Sequence, residues 1–315
     1  MPCHEGKGKR PGTKGPSPRP FAVAVLGLLT VAAVAGVVRP GALTRHTRDG
    51  LGKQRPAWSP DGRTLTFARH EAGGTRIWQY VADVASSAPP RRLTDRKAPE
   101  HDAVFSPDGT RLLLVTVTLS GTQGNLDIAS VAADGTGLKA VAGSPGGRVT
   151  HEEWPAWSPD GRRFAFSSTH EGNQELYTAA ADGSGPVRLT RSPGVDAHPC
   201  WSPDGKTVAF ATDRWGGLEL ATVRADGTGL ARLTRSPGLD DYPAYSPDGS
   251  RLAFVSNRDG QFEVYLSAAD GTGPVNLSRH PHRDTFPTWT PDGLGVTFVS
   301  DRDGGSDVYT QAVPR

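Results

Sequence analysis

Pro243-Ala244-Tyr245-Ser246-Pro247-Asp248-Gly249, followed by Phe254-Val255-Ser256-Asn257-Arg258-Asp259-Gly260, is the stretch on which the fold turns. In Ser-Pro-Asp-Gly, proline presets φ for the first central position of a turn. Aspartate suits the second, and glycine follows where a left-handed backbone is needed. The tetrapeptide recurs with its aspartate at Asp61, Asp108, Asp160, Asp204 and Asp248, and as Thr-Pro-Asp-Gly at Asp292. Successive intervals are 47, 52, 44, 44 and 44 residues. A sustained period of that size is the signature of propeller blades.

A second marker, Ala-Asp-Gly-Thr/Ser-Gly, places Asp134, Asp182, Asp226 and Asp270 near the middle of the last four intervals. Each half-repeat is therefore two strands and a tight turn. In blade five the strands are expected at 242–245, 251–256, 262–267 and 274–277. An aromatic precedes every first turn: Trp58, Phe105, Trp157, Trp201, Tyr245 and Trp289. A large apolar group at one register of every blade is what packing between neighbouring sheets requires, so these are read as core.

The sixth blade runs out of sequence where its fourth strand should begin. Regular fourth strands read Arg188-Leu189-Thr190, Arg232-Leu233-Thr234 and Asn276-Leu277-Ser278, and Ala42-Leu43-Thr44-Arg45 resembles them. That segment is expected to pair with the strand near 307–311 and so hide two sheet edges. The predicted fold is an all-β six-bladed β-propeller, closed by an N-terminal strand and occupying 39–315. Thirty-nine glycines, 27 prolines and a hydrophobic fraction of 36% suit many short strands and argue against a helical bundle.

Ahead of the propeller, residues 21–38 form 18 consecutive uncharged residues, about the shortest stretch that spans a bilayer as a helix. Lys7, Lys9, Arg10, Lys14 and Arg19 precede it in a basic, Pro/Gly-rich tail (1–20). The charge bias keeps that tail in the cytoplasm and sends the rest across, as a transmembrane signal anchor. A signal peptide cleaved after Ala33-Val34-Ala35 would instead release the propeller, and both readings place it outside the cytoplasm. Cys3 and Cys200 then lie on opposite sides of the membrane and cannot pair. The net charge of +2 also belongs to the N-terminus, since 29 basic and 32 acidic residues follow residue 40. No basic stripe offers a phosphate backbone a partner, which argues against nucleic acid.

The pattern Pro-x-Trp/Tyr-Ser-Pro-Asp-Gly, then Phe-x-Ser-x-Arg-x-Gly, resembles the WD40-like repeat of the TolB propellers over residues 41–315. The resemblance implies the propeller alone, without the α/β domain that precedes it in TolB. It also implies binding: TolB docks to a lipoprotein of the Tol–Pal system. Prolyl-oligopeptidase-like enzymes carry related propellers beside a hydrolase domain.

Candidate site residues cluster on one face. Blade two carries extra residues within 119–125 and within 143–151, connections that emerge together and mark a binding face. Three residues before each first-strand proline, or at the equivalent register, stand Glu100, Glu152, Asp196, Asp240 and Asp284, with Lys53 in blade one. Five carboxylates around the channel mouth could hold a divalent cation or a basic peptide, or could simply bond nearby backbone amides. His101, His151 and His198 lie near the same mouth and are metal-ligand candidates, although their offsets from the turn aspartates differ. Asp301-Arg302-Asp303-Gly304 reads as a turn rather than a calcium loop, lacking the distal glutamate. No nucleophile elbow, His-Glu-x-x-His or phosphate loop is found, and no cofactor is expected.

The function expected is a membrane-anchored, extracytoplasmic scaffold, a monomeric propeller whose partner is a protein or a cell-envelope glycan. The alternatives are a metal-dependent polysaccharide lyase or hydrolase using the channel, and a sensor coupled to the short cytoplasmic tail.

Overall fold

The computed structural model describes residues 42–314 apart from 74–75, 121–122 and 144–148. The expected anchor at 21–38 and its tail lie outside the described residues. Among the described residues no helix is long and apolar enough to cross a membrane.

The first strand is β1 (Leu43–Arg45). Blade one follows as β2 (Lys53–Trp58), β3 (Thr64–His70), β4 (Ile77–Asp83) and β5 (Arg91–Arg92). Blade two is β6 (Glu100–Phe105), β7 (Arg111–Ser120), β8 (Gln123–Ala132) and β9 (Lys139–Ala142). Blade three is β10 (Glu152–Trp157), β11 (Arg163–Ser168), β12 (Glu175–Ala180) and β13 (Val187–Arg188). Blade four is β14 (Asp196–Trp201), β15 (Thr207–Thr212), β16 (Glu219–Arg224) and β17 (Ala231–Arg232). Blade five is β18 (Asp240–Tyr245), β19 (Arg251–Ser256), β20 (Glu263–Ala268) and β21 (Val275–Asn276). Blade six is β22 (Asp284–Trp289), β23 (Gly295–Ser300) and β24 (Asp307–Ala312), with β1 as its fourth strand. Each sheet is a four-stranded antiparallel meander. Each first strand touches the first strands of both neighbouring blades, the last touching β2, so these six strands surround the central axis.

The turn motif explains its own recurrence. In blade five the Ser246 hydroxyl donates to Asp248 Oδ1 at 2.6 Å and accepts from Arg251 N at 2.9 Å. Asp248 Oδ1 also accepts from Ser250 N, and these bonds hold its pKa down at about 2. Gly205 shows what glycine supplies: its φ is +69°, and a Cβ there would lie 3.3 Å from Pro159 of the preceding blade's turn. The aromatic before the turn ties blades together. Trp201 Nε1 donates to Ala156 O at 3.2 Å and Trp289 Nε1 to Ala244 O at 3.0 Å, each reaching back one blade. Both rings are buried in clusters shared by two blades. Trp58, Phe105, Trp157 and Tyr245 are only partly buried but pack against the same kind of cluster.

The ring closes through β1, but in a different register from the one the Leu-Thr match suggests. Arg45 pairs with Tyr309 as Arg188 pairs with Tyr177, which puts His46, not Leu43, in the place of Leu189. His46 Nε2 meets Thr310 Oγ1 at 2.8 Å, Arg45 Nη2 donates to Asp307 at 2.6 Å, and Ala312 N donates to Ala42 O at 3.0 Å. Arg48 and Asp49, beyond the strand, lead into blade one.

Of the extra residues of blade two within 119–125, those at 119–120 and 123–125 belong to strands. They lengthen β7 and β8 to ten residues each, against six in blades three to five. β8 reaches as far as an isolated bridge between Leu126 and His151 at the start of blade three.

Candidate functional site

The five carboxylates expected at the channel mouth open their first strands, as the sequence implies, but they are closed to solvent. Glu100, Glu152, Asp196, Asp240 and Asp284 are at most 3% exposed. Their partners are side chains rather than backbone amides. Arg214 Nη2 donates to Asp196 at 2.6 Å, Arg258 to Asp240 at 2.9 Å, and Arg302 to Asp284 at 2.9 Å. Each arginine is fixed in turn by the strand before it, Arg258 Nε donating to Ser256 Oγ at 2.9 Å. The repeated Ser-x-Arg therefore serves as a clamp on the strand-opening aspartate. Glu152 accepts from Thr150 and Ser168, and Glu100 from Thr94. Burial raises the pKa of Glu100, Glu152 and Asp196 against these bonds. Lys53 holds the register in blade one. Its Nζ meets Asp307 Oδ1 at 3.0 Å, and both side chains are fully buried.

A second carboxylate ring was not anticipated. Glu175, Glu219, Glu263 and Asp307 open the third strands and receive the fourth-strand hydroxyl or arginine: Thr190 and Arg188 on Glu175, Arg232 on Glu219, Ser278 on Glu263, Thr47 and Arg45 on Asp307. The signal was present as Glu/Asp-Leu/Val-Tyr/Ala paired with a later Leu-Thr/Ser.

The residues that do meet at the axis stand two positions further along each first strand: Arg55, Asp102, Trp154, His198, Tyr242 and Phe286. All six have positive φ, between 45° and 57°. They sit at the bulge in the pairing of first and second strands, which re-aims a side chain. Backbone strain of this kind costs about 1–3 kcal/mol per residue and gathers at functional sites. Proline follows in every blade but the second, barring right-handed helical backbone just before it.

Four of the six form an aromatic arc. Ring centroids of Trp154 and His198 are 4.2 Å apart, His198 and Tyr242 3.9 Å, and Tyr242 and Phe286 4.7 Å. Arg55 and Asp102 complete the ring as an ion pair at 3.8 Å. Six buried polar atoms on the first strands have no hydrogen-bond partner among the described residues: Glu100 Oε1, Asp196 Oδ1 and Asp284 Oδ1 at the strand openings, and Arg55 Nη1, Asp102 Oδ1 and His198 Nε2 on the inner ring; His151 Nδ1, just before β10, is a seventh.

The electrostatics follow from that crowding. Burial opposes the charge of Asp102, but Arg55 and then His101 hold its pKa below the usual carboxylate range. Burial likewise opposes protonation of His101, yet Asp102, 3.3 Å away, more than offsets it and raises the pKa. Glu153 is pushed up by burial and by Asp102. His198 Nδ1 meets Asp241 Oδ1 at 2.5 Å. The candidate metal ligands His101, His151 and His198 all lie near enough to Glu153 to favour its charged form, yet among the described residues no three His, Cys, Asp or Glu side chains form a metal-binding group. Cys200 is partly buried, its thiol pushed up to about 11 by desolvation, and its sulfur accepts from Tyr245 N.

Comparison with known proteins agrees with this architecture. The TolB beta propeller domain model matches residues 135–240 and 233–314. A TolB homologue from Chlorobium luteolum is 32% identical over 139 residues, 44% of this chain and 28% of that protein. The match thus spans little more than a quarter of that relative's length. A structure from Agrobacterium tumefaciens assigned as a TolB superposes with TM-score 0.67 at 22% identity, covering 87% of this chain and 97% of that one. An oligogalacturonate lyase from Vibrio parahaemolyticus superposes with TM-score 0.60 at 15% identity, covering 87% and 94%, a likeness of fold alone. With the repeat motif, the six closed blades and the family model in agreement over more than half its length, the chain belongs to the TolB β-propeller family.

Proposed function

We propose that this propeller is an extracytoplasmic binding scaffold, tethered through residues 21–38, that seats a partner protein or envelope ligand over its inner ring. One observation carries the reading. Arg55, Asp102, His151 and His198 each bring a polar atom without a hydrogen bond to the strands around the axis, beside an aromatic arc held on strained backbone. Unmet polar atoms in a dry site cost free energy until a ligand supplies their complement. The TolB likeness supports a binding role. The lyase and hydrolase alternative has the fold likeness but not a converging donor set among the described residues.

The test places a photo-crosslinking residue at position 242, on the inner ring, or at position 206, in the exposed Ser-Pro-Asp-Gly-Lys turn, within the anchored protein. A partner captured from 242 but not from 206, and lost when Arg55 and Asp102 are replaced by Met and Leu, supports the scaffold. Equal capture from both positions, or capture indifferent to the double replacement, overturns it. A stoichiometric transition metal lost in His198→Ala would favour the enzyme.

A further inference from the structure

Blade four departs from its neighbours in a concerted way. In blades five and six the hairpin between second and third strands carries an aspartate that accepts from a third-strand tyrosine, Asp259 from Tyr265 and Asp303 from Tyr309. Blade four has Trp215 and Ala221 at those two positions. Trp215 is 36% exposed, with the guanidinium of Arg232 4.9 Å from its ring centroid.

The residue two positions later completes the change. In blade three it is Asn173, whose amide donates to Ser192 O at 2.7 Å and to Gly194 O, stitching the hairpin to the connection that leads into the next blade. In blade five Gln261 makes the same stitch to His280 O at 3.4 Å. In blade six Gly305 packs directly on Gly50, where a Cβ would come within 2.6 Å of backbone. In blade four the residue is Gly217, and a Cβ there would meet nothing within 4 Å. Ser236 O and Gly238 O, the counterparts of the two carbonyls stitched in blade three, receive no hydrogen bond among the described residues. The gap is a cavity of about 400 Å³ lined by Trp215, Gly216, Gly217, Ser236, Leu239 and Asn257.

We infer that this cavity is a binding site for an N-acetylated amino sugar. The gap is the vacated seat of an amide, and an acetamido N–H replaces one of the two Asn173-type bonds, donating to Ser236 O or Gly238 O, while a sugar hydroxyl donates to the other. The volume is far larger than an amide group needs and has room for a sugar ring. The exposed part of the Trp215 indole, beside the guanidiniums of Arg232 and of Arg214 at 5.8 Å, offers the ring's apolar face a stacking surface, which an amide-bearing peptide side chain would leave unused. Asn257 Oδ1 already accepts from Leu239 N, which leaves its amide nitrogen to donate to a ring hydroxyl. The site is distinct from the axial ring and does not rest on the reading given above.

The test titrates the full chain with the disaccharide of N-acetylglucosamine and follows the indole N–H of Trp215 by NMR, assigned by its loss in Trp215→Asp. Saturation below about 10 mM is expected, with at least about tenfold weaker binding of the glucose disaccharide that lacks the acetamido group. Gly217→Asn and Trp215→Asp restore residue types found at the same positions of other blades, so both should fold. Each is expected to weaken binding by at least about tenfold, read at the Trp215 signal for Gly217→Asn and by isothermal titration calorimetry for Trp215→Asp. No saturation of the Trp215 signal by about 20 mM, equal response to both sugars, or undiminished affinity in Gly217→Asn would overturn the assignment.

Discussion

Thr47 donates its hydroxyl to Asp307 Oδ1 at 2.7 Å, across 260 residues of chain. Asp307 also holds Lys53 Nζ, and both of those side chains are shielded completely from water. One carboxylate therefore joins the closing strand, the third strand of blade six and the first strand of blade one. Removing one partner of a buried ion pair costs about 3–5 kcal/mol where the other is left unpaired, and the lower end applies here because Lys53 keeps Asp49 as a second partner. Asp307→Ala is expected to lower the melting temperature by roughly 10 °C, at about 2–4 °C per kcal/mol for a domain of this size. Lys53→Met in the same background should recover part of the loss, as calorimetry of the single and double variants would reveal.

Closure should also weaken in acid through His46. Burial, and then the charge of Arg48, lowers its pKa from 6.5 to about 4. An unfolded His46 binds a proton below pH 6.5 while the folded one resists it, so the stability it confers is complete above pH 6.5 and is lost as pH falls toward 4. The span corresponds to roughly 3 kcal/mol at most. His46→Leu, the residue of the regular blades at this position, should flatten the urea-unfolding midpoint between pH 6.5 and pH 4. An unchanged slope would contradict the burial of His46.

Trp201 separates packing from hydrogen bonding at a blade boundary. Trp201→Phe keeps most of the buried ring and loses the bond to Ala156 O, an expected cost of about 1 kcal/mol. Trp201→Ala empties the space between blades three and four and should cost about 3–5 kcal/mol. Chemical denaturation of both variants distinguishes these contributions.

At the axis, His101 reports on Asp102. The carboxylate raises its pKa against burial. Asp102→Asn removes that charge and leaves desolvation dominant, so His101 should titrate below the ordinary histidine value. Histidine ring signals followed by NMR across the titration provide the check. A pKa unmoved by the replacement would mean that the two groups are not coupled.

The repeat made the architecture legible because its turn is chemically self-sufficient. Ser246, Asp248 and Gly249 satisfy one another wherever they occur, so spacing alone located six blades. The closing strand was legible in outline but not in register, because Leu43-Thr44 imitates Leu189-Thr190 while His46-Thr47 takes that place. The carboxylates were found without their purpose. Their arginine partners lie 18 residues downstream, in a hairpin that by itself reads only as a turn. The inner ring was missed because its six members are not one residue type, four being aromatic and two a charged pair. The sequence did carry a mark, a ring side chain directly before the first-strand proline in blades three to six. Trp215 was concealed for a related reason: its meaning depends on Ala221 and Gly217 departing with it.

Ala312 N donates to Ala42 O, so the first and last strands of the propeller are hydrogen-bonded neighbours in a single sheet. An annulus sealed this way has no privileged origin. A circular permutant that bridges those neighbours with a few glycines and opens the backbone instead at the solvent-facing Gly172 should keep the parent circular dichroism and melting profile. The numbering of the modules would then record only where translation starts, and not any hierarchy among them.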